Sequence, residues 1–151
     1  MKTMTLSLTL CLGLGALACG TECPVDGANG DYSGADLTGC AVAGLNHANG
    51  NFSGADLTGV DFSNADLSNA NFSNATLVGT SFASLDAQNP NFSGADLTNA
   101  SFASADLFNP NFSGATMTGV NFSSADMTNP DCTGATGVDT SAATVIGGSC
   151  D

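Results

Sequence analysis

Residues 89–98 read NPNFSGADLT; the first six letters return as NPNFSG at 109–114 and, altered, as NPDCTG at 129–134. There two five-residue phrases, PNFSG at 90–94 and ADLTN at 95–99, follow one another with the same kind of residue at most places. Working outward in fives from Gly30, the chain reads GDYSG, ADLTG, CAVAG, LNHAN, GNFSG, ADLTG, VDFSN, ADLSN and onward to PDCTG at 130–134: 21 pentads with no insertion. The third position is Phe, Leu or Met in 16 of them, the second is Asp or Asn in 16, and the fourth is Ser or Thr in 14. The first position is usually Ala. Such order marks a repeat architecture.

A period of five fits neither a helix, at about 3.6 residues, nor a long flat strand, at about 2. It fits a short strand followed by a corner. Positions one and three point inward, position two points to water, and positions four and five turn the chain. A second period counts the sides of the coil. Pro90, Pro110 and Pro130 all stand at first positions, twenty residues apart, so four pentads make one coil. Stacking then puts Phe52, Phe72, Phe92 and Phe112 on one wall, with Phe62, Phe82, Phe102 and Phe122 opposite. Leu57, Leu77, Leu97 and Met117 line a third wall, and Leu67, Leu107 and Met127 a fourth, where Leu85 fills the space that Ala87 leaves. Proline is tolerated at the first residue of a strand, where these stand. Val42, His47 and Leu45 make the first coil depart from the pattern.

Pentads of the form Ala-Asp/Asn-Leu/Phe-Ser/Thr-Gly/Asn resemble those of the pentapeptide repeat proteins. The resemblance covers residues 30–134 and implies an all-β fold, a right-handed quadrilateral β-helix (a pentapeptide repeat solenoid). At four pentads per coil there are about five coils, stacked at about 4.8 Å into a rod near 25 Å long. End coils expose unpaired edges, so residues 19–29 and 135–151 are expected to cap the rod.

The segment before the repeats gives an address. Lys2 precedes an apolar run from Met4 to Leu17, and Ala16-Leu17-Ala18 offers a small-residue cleavage site, so 1–18 reads as a secretory signal peptide. ALAC at 16–19 resembles the lipobox of bacterial lipoproteins, which implies lipidation of Cys19; the alternative is ordinary cleavage with Cys19 free. Gly20 after it resembles lipoproteins sent to the outer membrane. If Cys19 carries lipid, four cysteines remain in the mature chain and fall into two local pairs: Cys23 with Cys40, and Cys132 with Cys150. An oxidising compartment favours both as disulfides. No long apolar stretch follows Leu17, so nothing downstream is expected to span a membrane.

Charge and chemistry narrow the function. The net charge is −13, with Lys2 the only basic residue, so the mature chain lacks cationic clamps for phosphate or carboxylate. His47 is the only histidine and falls in an inward slot; the serines have no evident base to activate them. No catalytic residue, cofactor or metal is expected. Asp66, Asp86, Asp106 and Asp126 form an outward column on the fourth wall and are weak cation-binding candidates, short of the six to eight oxygens calcium takes. Asn51, Asn71, Asn91 and Asn111, with the Ser53 and Thr38 series, form flat polar arrays that could order water or ice. Phe108, outward on the fourth wall, is the place to expect a contact.

The expected function is a non-enzymatic structural or interaction module, exported and lipid-anchored on the bacterial envelope, or else periplasmic or secreted. It would present a rigid acidic surface to a protein or envelope partner, with no nucleic acid bound. The family resemblance implies an alternative, mimicry of acidic duplex DNA at gyrase, which an export signal opposes.

Overall fold

The computed structural model describes residues 27–40 and 42–150. The expected signal peptide, Cys19 and Cys23 lie outside them. Up to its last coil the described chain winds with an offset of twenty. Asp31, Asn51, Asn71, Asn91 and Asn111 bridge in parallel succession on the Phe52 wall, and Asp36, Asp56, Thr76, Asp96 and Thr116 on the Leu57 wall. Asp61, Ser81, Ser101 and Asn121 do the same on the Phe62 wall. Four pentads close one coil, and the register holds in the divergent first coil, where Tyr32, Leu37, Val42 and His47 all point inward and are buried.

The sequence of a pentad follows from where its backbone N–H groups go. In ANFSN, residues 70–74, the N–H of Ala70 closes the corner behind it on Leu67 O at 2.9 Å, and that of Asn71 reaches Gly50 O in the preceding coil at 2.8 Å. The N–H groups of Phe72 and Asn74 reach Asn91 O and Ser93 O in the next coil at 2.7 and 2.9 Å. Only the fourth is left, and Ser73 N–H donates to Asn71 Oδ1 at 3.1 Å. Position two must therefore carry a short side-chain acceptor, which is why Asp and Asn fill it. Position five takes a left-handed backbone, with φ near 57° at Asn64, Asn69 and Asn74; Gly and Asn adopt it at least cost.

The fourth wall departs from this scheme after its second coil. Residues two to four of the pentad there are extended, forming β1 (Asp86–Gln88), β2 (Asp106–Phe108) and β3 (Asp126–Thr128), and β4 (Thr144–Ile146), past the pentads, completes a four-stranded parallel sheet in that order. Each of the first three strands is followed, two residues on, by one of the prolines: Pro90, Pro110 and Pro130. An extended position four carries the third carbonyl away from the corner, so the next N–H would lose its acceptor. Proline removes the donor. The last coil is short, because Asp126 pairs with Thr144 rather than with a residue twenty on.

Along the axis the two Phe columns stack as the periodicity predicts. Phe72 lies 5.1 Å from Phe92 with rings 9° from parallel, and Phe82 lies 4.7 Å from Phe102. Across the bore the rings meet edge to face, as Phe72 and Phe82 do at 5.8 Å and 79°. Such pairs contribute about 0.5–1.5 kcal/mol each beyond their burial. Leu85 and Ala87 are both buried, so the exchange of bulk between them is real. Thr80 replaces the small apolar residue at one first position and satisfies its hydroxyl on Leu57 O at 2.8 Å. Cys132 and Cys150 form a disulfide, their Cα atoms 4.9 Å apart. Cys40 is disulfide-bonded as well.

Candidate functional site

Everything outward on the pentads hangs from position two, four or five, so the surface is a set of columns. Most of the described acids are consumed by the fold. Asp31, Asp36, Asp56, Asp61, Asp66, Asp96, Asp131 and Asp139 each accept the backbone N–H two residues on, at 2.8–3.2 Å. At Asp31, Asp36, Asp61, Asp131 and Asp139 hydrogen bonds from the residue two on favour the ionised form and lower the pKa. The Thr38 backbone and hydroxyl hold Asp36 below its ordinary value, and the Ser63 backbone and hydroxyl do the same for Asp61.

Two asparagine ladders climb the rod. Of the one expected on the Phe52 wall, Asn51, Asn71 and Asn91 are linked, with Asn71 Nδ2 donating to Asn51 Oδ1 at 3.2 Å and Asn91 Nδ2 to Asn71 Oδ1 at 3.1 Å, and Asn111 follows in backbone register. A second stands at the corner after the fourth wall, where Asn49, Asn69, Asn89, Asn109 and Asn129 each donate to the asparagine one coil earlier at 3.1–3.3 Å. Sequence reasoning missed it, although its signal was the first letter of the NPNFSG phrase.

The fourth wall holds the candidate contact residues. Asp66, Asp86, Asp106 and Asp126 stand in direct register, one per coil. Beside them Gln88, Phe108, Thr128 and Ile146 form a second register-matched column. Phe108 is 46% exposed and Ile146 61%. The expectation flagged Phe108 but not Ile146, because residues after 134 carry no pentad to place them. A shallow depression of about 480 Å³, open to solvent, lies against Asp66, Ser68, Asp86 and Gln88. Among the described residues no three His, Cys, Asp or Glu side chains gather as metal ligands, and no helix is long and apolar enough to cross a membrane.

His47 is fully buried beneath the aromatic stack, edge-on to Tyr32, Phe52 and Phe62. Neither ring nitrogen has a hydrogen-bond partner, and burial pushes its pKa down. An imidazole so enclosed reaches no substrate.

The pentapeptide repeats family model matches in 8 copies across 35–74, 48–83, 75–109 and 105–136. Among solved structures, a pentapeptide repeat protein from the Arabidopsis thaliana thylakoid lumen is 29% identical with a TM-score of 0.47; the alignment covers 71% of this chain and 64% of that one. Trypsin-treated QnrB1, a plasmid-mediated fluoroquinolone resistance protein, is 26% identical with a TM-score of 0.38, over 79% of this chain and 68% of its own. Rfr23 from the cyanobacterium Cyanothece 51142 is 28% identical with a TM-score of 0.26, over 70% and 58%. No curated protein matches the chain.

Proposed function

Because this chain belongs to the pentapeptide repeat family, we propose that it is a non-enzymatic interaction module, exported and held to a bacterial envelope by lipid on Cys19. The observation that carries the reading is the cysteine chemistry. Cys132 is bonded to Cys150, Cys40 is disulfide-bonded too, and no described cysteine is free. Structural disulfides belong to oxidising compartments and are rare in a reducing cytosol. That agrees with the leader read in residues 1–18 and with Cys23 as the partner of Cys40. It leaves Cys19 as the odd thiol of the mature chain, the one to be lipidated. Two or more acyl chains anchor a protein stably.

The surface supports the non-enzymatic part. The one histidine is enclosed, and eight described aspartates accept turn hydrogen bonds rather than protons from a substrate. Among the described residues the depression beside Asp66 and Asp86 is open to solvent and sets no base opposite those acids.

Intact mass of the mature protein, with cell fractionation of the native chain and Cys19→Ser, tests the reading. The expected result is an N-terminus at Cys19 carrying diacylglyceryl mass and membrane association that Cys19→Ser abolishes. An unmodified Cys19 removes the anchor. A cytoplasmic chain with its leader uncleaved removes export and turns the reading toward gyrase mimicry.

A further inference from the structure

We propose that the fourth wall from β1 to β4 is a docking face for a basic amphipathic helix of a partner protein. This rests on reading the rod as an interaction module and names where, and by what chemistry, it interacts. Eight of the eleven described aspartates accept the backbone N–H two residues on. The exceptions are Asp86, Asp106 and Asp126. Each opens a strand that runs on through position four, so the position-four N–H does not turn back to the carboxylate. These three carboxylates serve no turn, and no cation stands among the described residues to pair with them.

The extended backbone has a second consequence. On the other walls position four belongs to a corner; here it stands on the same flat face as position two. Gln88, Phe108, half-buried Thr128 and Ile146 therefore line up beside the carboxylates, with Phe108 and Ile146 the largest exposed apolar groups on that face. An aromatic beside uncompensated charges, on a rigid sheet, is the composition of a binding anchor rather than of a solvated wall.

Charge selects the occupant. A second copy brings the same acidic wall and a net charge of −13, and nucleic acid or an anionic membrane is repelled likewise. A cationic protein segment is attracted. Spacing selects its form. Side chains three and four apart on a helix lie about 5–6 Å from each other, close to the rung spacing of about 4.8 Å. A helix along the rod axis thus keeps one Lys or Arg in step with each carboxylate, and an adjoining apolar stripe covers Phe108 and Ile146.

The test is fluorescence anisotropy with a labelled helical peptide of Lys and Leu, the leucines on one stripe, and a control with Glu for Lys. The rod variants are Phe108→Ser, Asp106→Asn, and Asp36→Asn, which removes one charge from the Leu57 wall but keeps an acceptor for Thr38. All three alter outward side chains and leave the core intact, which circular dichroism confirms before binding is measured. The proposal expects Phe108→Ser and Asp106→Asn each to weaken the Lys peptide at least about fivefold, Asp36→Asn to weaken it less than about twofold, and the Glu peptide not to bind. Equal losses in all three variants, or an unchanged Phe108→Ser, would overturn it. An unlipidated chain that still binds through Phe108 sinks the anchor reading and leaves this one standing. A lipidated chain indifferent to Phe108→Ser does the reverse.

Discussion

His47 occupies the slot that Leu67 and Leu107 fill in later coils, fully buried and with both ring nitrogens unpartnered. A neutral imidazole has one donor and one acceptor, and each buried group left unsatisfied costs about 1–3 kcal/mol. Against that stand edge contacts to Tyr32 at 5.9 Å, Phe52 at 5.7 Å and Phe62 at 6.2 Å, toward the long end of the range, which return about 0.5 kcal/mol each, about 1.5 kcal/mol together. Leucine keeps the apolar burial and removes both orphaned atoms. His47→Leu should therefore stabilise the first coil by about 1–3 kcal/mol at pH near 7.5. The assay is urea denaturation followed by circular dichroism, with hydrogen exchange at first-coil amides, because an end coil opens on its own in a nearest-neighbour stack.

A pH series makes the same point independently. Burial holds the folded His47 pKa below its ordinary 6.5, while the unfolded chain takes a proton as pH falls through that value. Below about 6.5 the unfolded state binds more protons, so wild-type stability declines as pH drops, by up to about 1.4 kcal/mol per unit, until the lowered folded pKa is reached. The leucine variant should be flat over that window. A variant no more stable than wild type at pH near 7.5, or one with an unchanged slope between about 6.5 and 5, would refute the assignment of His47 as an enclosed, unsatisfied imidazole.

Two further perturbations probe the core and the cap. Leu85→Ala should cost about 2–5 kcal/mol as a buried truncation, and adding Ala87→Leu should restore most of it, since the two positions share one vacancy; a double variant no better than the single one contradicts that reading. Cys132→Ser opens a loop closed between residues 18 apart and should lose about 3 kcal/mol, read as a lower urea midpoint and faster proteolysis of residues 135–150. Wild type under reductant, which opens the Cys40 bond as well, should lose at least as much, and an unchanged midpoint in Cys132→Ser would show that the cap holds without its bond.

The inward half of this fold is legible from letters because only two kinds of side chain fit the bore and they repeat at fixed spacing. Phe72 over Phe92, and the Leu85 and Ala87 exchange, follow from counting in twenties. The outward half is harder to read, because one letter serves two purposes. Asp at position two reads as a solvated acid, yet Asp56 accepts both the Thr58 N–H and its hydroxyl, at 3.0 and 2.7 Å. The departure of the fourth wall into true strands was written in Pro90, Pro110 and Pro130, but proline in isolation reports only a missing donor. It takes the backbone accounting to see that the donor is missing because its acceptor has moved. Past residue 134 the pentads stop while the ladder continues, so β4 and Ile146 had no pattern to announce them.

That double use of Asp bears on what the acidity is for. Asn fills position two as well as Asp does, as Asn51, Asn71 and Asn91 show by accepting from Ser53, Ser73 and Ser93, and stacked asparagines attract where stacked carboxylates repel. Three walls respect this. Thr76 separates Asp56 from Asp96, serines follow Asp61, and asparagines follow Asp31; Asp36 above Asp56 is the one adjacent pair among those bridges. The fourth wall stacks Asp66, Asp86, Asp106 and Asp126 without a spacer, at a repulsion of about 0.9 kcal/mol per neighbouring pair in water before salt screening. Three of those four accept no turn hydrogen bond to offset it. Neither the turn nor the stack calls for carboxylates there, so the chain's own stability does not account for them. A cation brought by another molecule, gripping the face where Phe108 and Ile146 are uncovered, does.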